Sequence, residues 1–361
     1  MINEFDPFSV CFNLLKLKYA VYDESLSAMN FLEPTDKVNV FINLETVWKN
    51  ISMIMDLEKK IIVQHDFKEI IISNILNLAA HYKRFFTSNN LDTKVYLYHT
   101  DLTSEEFDQF KYNEDYRAYY LTKFNDNPKF ALFSERLIYD IIPDVKAYCE
   151  FIPGVYYISS KNIEGSLVPY IIAKSDPSRK NLIIGGELYD TQYSQIDRFV
   201  NHYIHRNFNV NRVYSDLNGY ILDITKKEKD EDDLNKAFSN YNFYCGLLAI
   251  LGNKVRSIDS ISGFGPITFK KYLVDAINKN DISEDTSNPE IIGNIFNDGE
   301  TKEEFVNNFY CSSILAMYDE LSASEKVSVL NQLLDRSDRN ALESINKLKF
   351  GNHPINLENL L

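Results

Sequence analysis

The stretch Cys245–Leu273, CGLLAILGNKVRSIDSISGFGPITFKKYL, holds the residues whose types and spacing suggest a definite chemistry. Gly263 and Gly265 frame a Gly-x-Gly turn, Pro266 follows, and Lys270 and Lys271 come one helical turn later. Glycine allows backbone geometry and close approach that a side chain forbids. Proline suits the first position of a helix, where its missing N–H costs nothing. A glycine turn that opens a helix leaves amides pointing outward at the positive end of the helix dipole, which attracts phosphate. The expected structure is a helix-hairpin-helix, and the expected chemistry is capture of a nucleic-acid backbone without base readout. The plainer alternative is a glycine turn between two core helices.

The elements that must position this turn follow from periodicity. Lys37–Asn43 (KVNVFIN), Thr93–Tyr98 (TKVYLY), Val155–Ile158 and Lys180–Gly186 (KNLIIGG) have the apolar content of strands buried in a parallel sheet. Asp66–Ser88 has helical spacing, with Ile70, Ile71, Ile75, Leu76 and Leu78 on its core face. Val10–Tyr22 and Leu44–Met55 also read as helices. Strands alternating with helices predict an α/β fold, a mostly parallel sheet flanked by helices. Arg212–Ile224 predicts a β-hairpin around Asn218-Gly219. Lys226–Asp233 is a charged connection, and Leu234–Leu251 an amphipathic helix entering the glycine turn. After Lys279, NDISEDTSNPE reads as a linker. Residues 289–350 are helical by pattern, with Ser322–Glu325 (SASE) as a capping box.

The order of these elements resembles the 5′-nuclease family: flap endonucleases, phage 5′-exonucleases and the 5′-nuclease domain of bacterial DNA polymerase. The resemblance covers residues 37–280 and implies a PIN-like core with a helix-hairpin-helix region. It implies domains at 1–36 (N-terminal extension), 37–230 (core, with a helical arch at about 102–147), 231–280 (helix-hairpin-helix) and 281–361 (helical C-terminal region). In the family, clustered aspartates and glutamates hold divalent cations that clamp the attacking and leaving oxygens of a phosphodiester. Most of those positions have changed here. The first strand ends in Asn43, and the second in Tyr98 and His99. The Glu-Ala-Asp-Asp motif becomes Glu164-Gly165-Ser166-Leu167. The acids after the fourth strand become Glu187 and Tyr189, with Asp190 one place out of register and Thr191-Gln192 keeping the frame. In the run before the hairpin, Asn253 and Arg256 stand where two aspartates are expected.

Hard cations require several carboxylate oxygens, and Glu164 and Glu187 are the remnant acids that match. The expected protein is therefore a pseudo-nuclease that needs no cofactor. It would bind DNA, whether duplex, forked or flapped, through Lys254, Arg256, Gly263, Gly265, Lys270 and Lys271. A second reading is an active magnesium- or manganese-dependent 5′–3′ exonuclease or flap endonuclease with a displaced acid set: Glu45, Asp101, Glu164, Glu187, Asp190 and Asp259. Within that reading Glu164, Glu187 and Asp190 are the metal ligands. A third is an assembly subunit that binds no DNA.

Composition bounds these readings. The 361 residues carry a net charge of −14, which argues against nonspecific coating of DNA but allows a local basic surface. The aromatic stretch from Leu102 to Ala147 interleaves Lys111, Arg117, Lys123 and Lys129, a pattern suited to stacking on single strands and equally to a packed helical subdomain. Cys11, Cys149, Cys245 and Cys311 lie far apart, without zinc spacing, as reduced thiols of a cytoplasmic protein do. His202 and His205 lie three apart, as on a helix surface. No apolar run reaches membrane-span length, and Met1–Tyr19 lacks a basic leader region. The C-terminal helices offer a surface for a protein partner. Heavy use of Asn, Ile, Lys and Tyr suggests an AT-rich genome such as a phage's, which would place the protein in a host cytoplasm.

Overall fold

The computed structural model describes residues 36–44, 66–100, 141–150, 152–160, 163–185, 190, 192–193, 196–204, 211–214, 240–253, 258–283 and 286–334. The expectations for Val10–Tyr22, most of Leu44–Met55, the aromatic stretch up to residue 140, Asn218-Gly219 and Lys226–Asp233 lie outside them.

The chain runs β1 (Lys37–Asn43), α1 (Asp66–Ser88), β2 (Asp92–Thr100), α2 (Ile142–Cys149), β3 (Val155–Ser160), a 3-10 turn (Gly165–Leu167), α3 (Val168–Ser175), β4 (Lys180–Gly185), β5 (Phe199–Ile204) and β6 (Asn211–Tyr214). A helical part follows: α4 (Tyr241–Leu251), α5 (Pro266–Asn278), α6 (Pro289–Ile292), α7 (Gly299–Ser312), α8 (Ile314–Glu320) and α9 (Ala323–Leu334). The six strands form one sheet in the order β3-β2-β1-β4-β5-β6. Every pairing is parallel except β5 with β6. All four predicted strands are present, and β2 and β3 run two residues further at their C-terminal ends than periodicity suggested. The strand at Arg212 pairs with β5, with Asn201 opposite Tyr214. His202 therefore lies in a strand, not on a helix surface.

The two faces of the sheet make two cores. Val38, Val40 and Ile42 of β1 point to one side, with Val95, Leu97, Leu182 and Ile184 from its neighbours. Helix α1 covers that side with Ile75, Leu76, Ala79, Tyr82 and Phe86, and α2 adds Val145 and Cys149. Two-residue alternation along β1 sends Phe41 to the other side. There it meets Tyr96, Tyr98, Ile158 and Ile183, covered by Val168, Ile171 and Ile172 of α3. The same face is closed by Ile314, Leu321 and Val329, so α8 and α9 supply part of the sheet's cover. Fully burying one such side chain contributes about 1.5–3 kcal/mol. The predicted capping box opens α9: the Ser322 amide donates to Glu325 Oε2 at 2.7 Å, and the Glu325 amide to Ser322 Oγ at 3.3 Å.

A third core joins α4, α5, α6 and α7 through Leu247, Ile250, Phe269, Leu273, Ile292, Phe305 and Phe309. Ile282 and Pro289 are buried, so the run expected to be a linker is packed against this core. Arg179 ties the sheet's N-terminal rim. It is 3% exposed, donates to the carbonyls of Val38 (3.2 Å) and Asp92 (3.0 Å), and pairs with the carboxylates of Asp92 and Asp176. That leaves the C-terminal rim, at the opposite end of the strands, for a site.

The described cysteines pack as small apolar side chains. Cys149, Cys245 and Cys311 are buried and not in disulfides, and burial pushes the Cys245 thiol up to about 12. A thiol-reactive chromophore at pH 8 is expected to label these three only after denaturation, because the thiolate is the nucleophile. Two or more fast-reacting thiols in the native protein would contradict this packing.

Candidate nucleic-acid interface

Strand order reverses between β1 and β4, and in open α/β sheets ligands bind beyond the strand C-termini at that point. Asn43 is the last residue of β1, and Asp190 lies shortly after β4. The two meet: Asn43 Nδ2 donates to Asp190 Oδ2 at 3.2 Å, with both side chains buried. Tyr193 follows in the same segment, and its hydroxyl donates to the carbonyl of Ser166 at 2.6 Å. Burial first, and then the charge of Asp190, holds the Tyr193 hydroxyl well above its ordinary range, so it stays protonated and donating.

Glu164 stands at the N-cap position of the 3-10 turn that contains Ser166 and is 3% exposed. Its neighbour Gly165 packs on the end of β2, its amide donating to Thr100 Oγ1 at 2.9 Å. A Cβ at Gly165 would lie 2.7 Å from His99 C and 2.7 Å from Thr100 N, so backbone crowding demands glycine. His99 is buried there. Its Nδ1 lies 2.8 Å from the Thr100 carbonyl, which can only accept, so Nδ1 carries the proton. Nε2 then accepts from the Tyr157 hydroxyl at 2.5 Å.

At two points of this cleft the facing atom is not a carboxylate oxygen. Asn43 turns an uncharged NH2 toward Asp190, and the Ser166 carbonyl accepts from Tyr193. Among the described residues no group of three or more His, Cys, Asp or Glu could hold a metal. Glu187, Tyr189, Glu45 and Asp101 lie outside the described residues. Asp259 is exposed on the hairpin side, where its carbonyl accepts from Asn308 at 3.0 Å.

Helix α4 ends at Gly252, Asn253 and Ile258 exchange two backbone hydrogen bonds at 2.7 and 3.0 Å, and α5 starts at Pro266. Lys254 and Arg256 belong to the loop that this pair closes and lie outside the described residues. Gly263 has φ +81°, which only glycine adopts comfortably. Gly265 has φ −99°, open to any residue, so glycine there contributes bare backbone rather than conformational freedom. No atom lies within 4 Å of a Cβ built on either glycine. The first turn of α5 has no side-chain cap, because its N-cap residue is Gly265. Lys271 is exposed and Lys270 half-buried on the same helix. Beneath the turn, Phe264 packs on Tyr272 and Phe296, with ring centroids 5.6 and 4.8 Å apart.

Two residues of the 190–193 segment have roles that the sequence did not reveal. Tyr193 carries no local signal. In the sequence Gln192 is one member of a motif frame, yet it bonds three separate elements. Its Oε1 accepts from the Tyr241 hydroxyl (2.6 Å) and the Ile314 amide (2.8 Å), and its Nε2 donates to the Ser312 carbonyl (2.8 Å).

No helix among the described residues is long and apolar enough to cross a membrane. No protein-family model matches the chain, and no curated protein matches it. Solved structures do. One is the flap endonuclease of bacteriophage T5 in a pseudo-enzyme–product complex with DNA and metal ions: 13% identity, 83% of this chain, 100% of that one, TM-score 0.50. Another is a T5 protein co-crystallised with metal ions: 12% identity, 82% of this chain, 99% of that one, TM-score 0.50. At such identity the likeness concerns architecture, and this chain has the α/β fold of the phage T5 flap endonuclease.

Proposed function

We propose that this chain is a nuclease-like protein that grips the backbone of duplex, forked or flapped DNA through its helix-hairpin-helix and does not cleave it. The observation that carries the second half is the buried amide of Asn43 bonded to Asp190, where cleavage would need converging carboxylates. The first half is supported by the bare backbone at Gly263 and Gly265, the uncapped start of α5, and Lys270 and Lys271 on that helix. The T5 neighbour, which shares the fold, is held with DNA. Each element has a physical role. The amides bind phosphate oxygens at the positive end of the helix dipole, and the lysines release counterions from the duplex. Arg256 adds a bidentate phosphate contact from the adjoining loop.

Gel-shift titration of a forked duplex at two salt concentrations tests the reading. Wild type is expected to bind with a steep salt dependence. Arg256→Glu combined with Lys270→Glu is expected to weaken binding at least ~10-fold and to lower the salt slope by about 2. Absence of salt-sensitive binding at micromolar protein would instead favour a role as an assembly subunit. In the same reactions, magnesium or manganese is expected to produce no cut flap. Cleavage that Glu164→Gln abolishes would move the protein to the active-nuclease reading.

A further inference from the structure

The hairpin core and the sheet-face core are separate apolar clusters, and the 190–193 segment lies where they meet. Phe309 and Leu247 belong to the first, and Tyr193 and Ile314 to the second. Within four residues this segment holds three things. Asp190 holds Asn43 at the sheet's C-terminal rim, Tyr193 holds Ser166 beside Glu164, and Gln192 holds α4 and the bend between α7 and α8. The same knot includes the Leu315 amide, which donates to the Tyr241 hydroxyl at 3.2 Å, and Ser313 Oγ, 3.3 Å from that hydroxyl. The Cys245 thiol lies 3.7 Å from Gln192 Oε1.

We infer that Gln192, through Tyr241 and the Ser312–Ile314 bend, is the joint that sets the angle of the hairpin relative to the sheet's C-terminal rim. An apolar seam tolerates sliding, because burial does not depend on direction. A buried amide bonded on both its oxygen and its nitrogen does not, since any other angle strands a polar group at full desolvation cost. Gln192 is thus a positioning residue: it touches no ligand, but it registers two surfaces that one nucleic-acid duplex would contact together. This last step rests on the proposed DNA binding, whereas the joint itself does not.

The test measures the angle first, without DNA. Spin labels at Thr87→Cys on α1 and Asn278→Cys on α5, in a Cys11→Ser background, report the distance between the two parts by pulsed electron resonance. Both sites are exposed. Wild type is expected to give one narrow distribution. Tyr241→Phe removes one hydroxyl and is expected to widen it about twofold while circular dichroism shows a folded chain. Gln192→Glu supplies a readout that packing alone would not move. As the neutral acid it keeps the donor toward Ser312, and as the anion it loses it, so the distribution is expected to be narrow at low pH and broad at high pH. Wild-type widths in Tyr241→Phe and in Gln192→Glu at all pH values would overturn the joint. Gel shifts with the same variants then address DNA: a wider distribution with unchanged affinity keeps the joint and counts against the DNA reading.

Discussion

Replacing Asn43 by aspartate is expected to leave stability near wild type at about pH 4 and to remove about 3 kcal/mol at neutral pH without divalent cations. The Asn43 amide donates to Asp190 inside the protein, where both side chains are almost wholly buried. N43D exchanges that donor for a second carboxylate at the same separation. Two like charges so placed cannot both ionise cheaply, so one carboxyl takes a folded pKa well above its unfolded value of about 3.9. A raised acid pKa means that the folded state holds a proton the unfolded chain releases. The variant is therefore unpenalised below the unfolded pKa, where the proton replaces the lost N–H donor. The penalty grows as pH rises toward the folded pKa. Millimolar manganese is expected to restore the thermal midpoint of N43D and to leave wild type unmoved, because the variant faces Asp190 with a second carboxylate where wild type presents an amide. If N43D in EDTA at pH 7.5 melts with wild type, or manganese acts on both alike, the account of this cleft is wrong.

Gly252→Ala is expected to cost about 3 kcal/mol or more, read as the shift in the urea midpoint at constant slope. Gly252 ends α4 with φ +65° and ψ 174°, a region that residues with a Cβ essentially do not enter. Space is lacking as well. A Cβ there would lie 2.6 Å from Ile258 O, 2.6 Å from Ser260 N and 2.7 Å from Asp259 C, all backbone atoms that cannot swing aside. Relief requires moving the strand-like pair Asn253–Ile258 and the bond from the Ile261 amide to the Ile250 carbonyl, 3.0 Å in length. The loop carrying Lys254 and Arg256 is anchored by that pair, so DNA binding is expected to weaken in parallel. Gly263→Ala is the internal control. Its φ is +81°, but nothing lies within 4 Å of the added carbon, so the cost is expected to stay near 1 kcal/mol. Equal losses in the two variants would show that the close approach at Gly252 contributes nothing.

Periodicity and punctuation alone determined the four central strands, helix α1, the glycine turn with Pro266 at the head of α5, and the Ser322–Glu325 capping box. Each is encoded within a few residues: apolar runs that must be buried on two sides, a proline whose φ is preset, a serine and a glutamate three apart. Periodicity says that a face is buried but not against what. That α8 and α9 close the second face of the sheet depends on Ile314, Leu321 and Val329 meeting strands far earlier in the chain. The run after Lys279 reads as a linker because its side chains are mostly polar, yet Ile282 anchors it to the hairpin core.

The candidate cleft divides the same way. The substitution of an amide for an acid at Asn43 is visible in the sequence, but its consequence is not. Asp190 looked out of register by one place, and only the fold brings it to Asn43 across 147 positions. Gln192 is one polar residue in a short motif until folding brings it to Ile314, 122 positions away, and gives its oxygen and nitrogen their partners. Hydrogen bonds between distant segments leave no periodic trace, because the energy of a buried polar group depends on the other chain segment beside it and not on its own neighbours. The sequence by itself could state which residues were unusual for their place, and tertiary structure decided which of them hold one another.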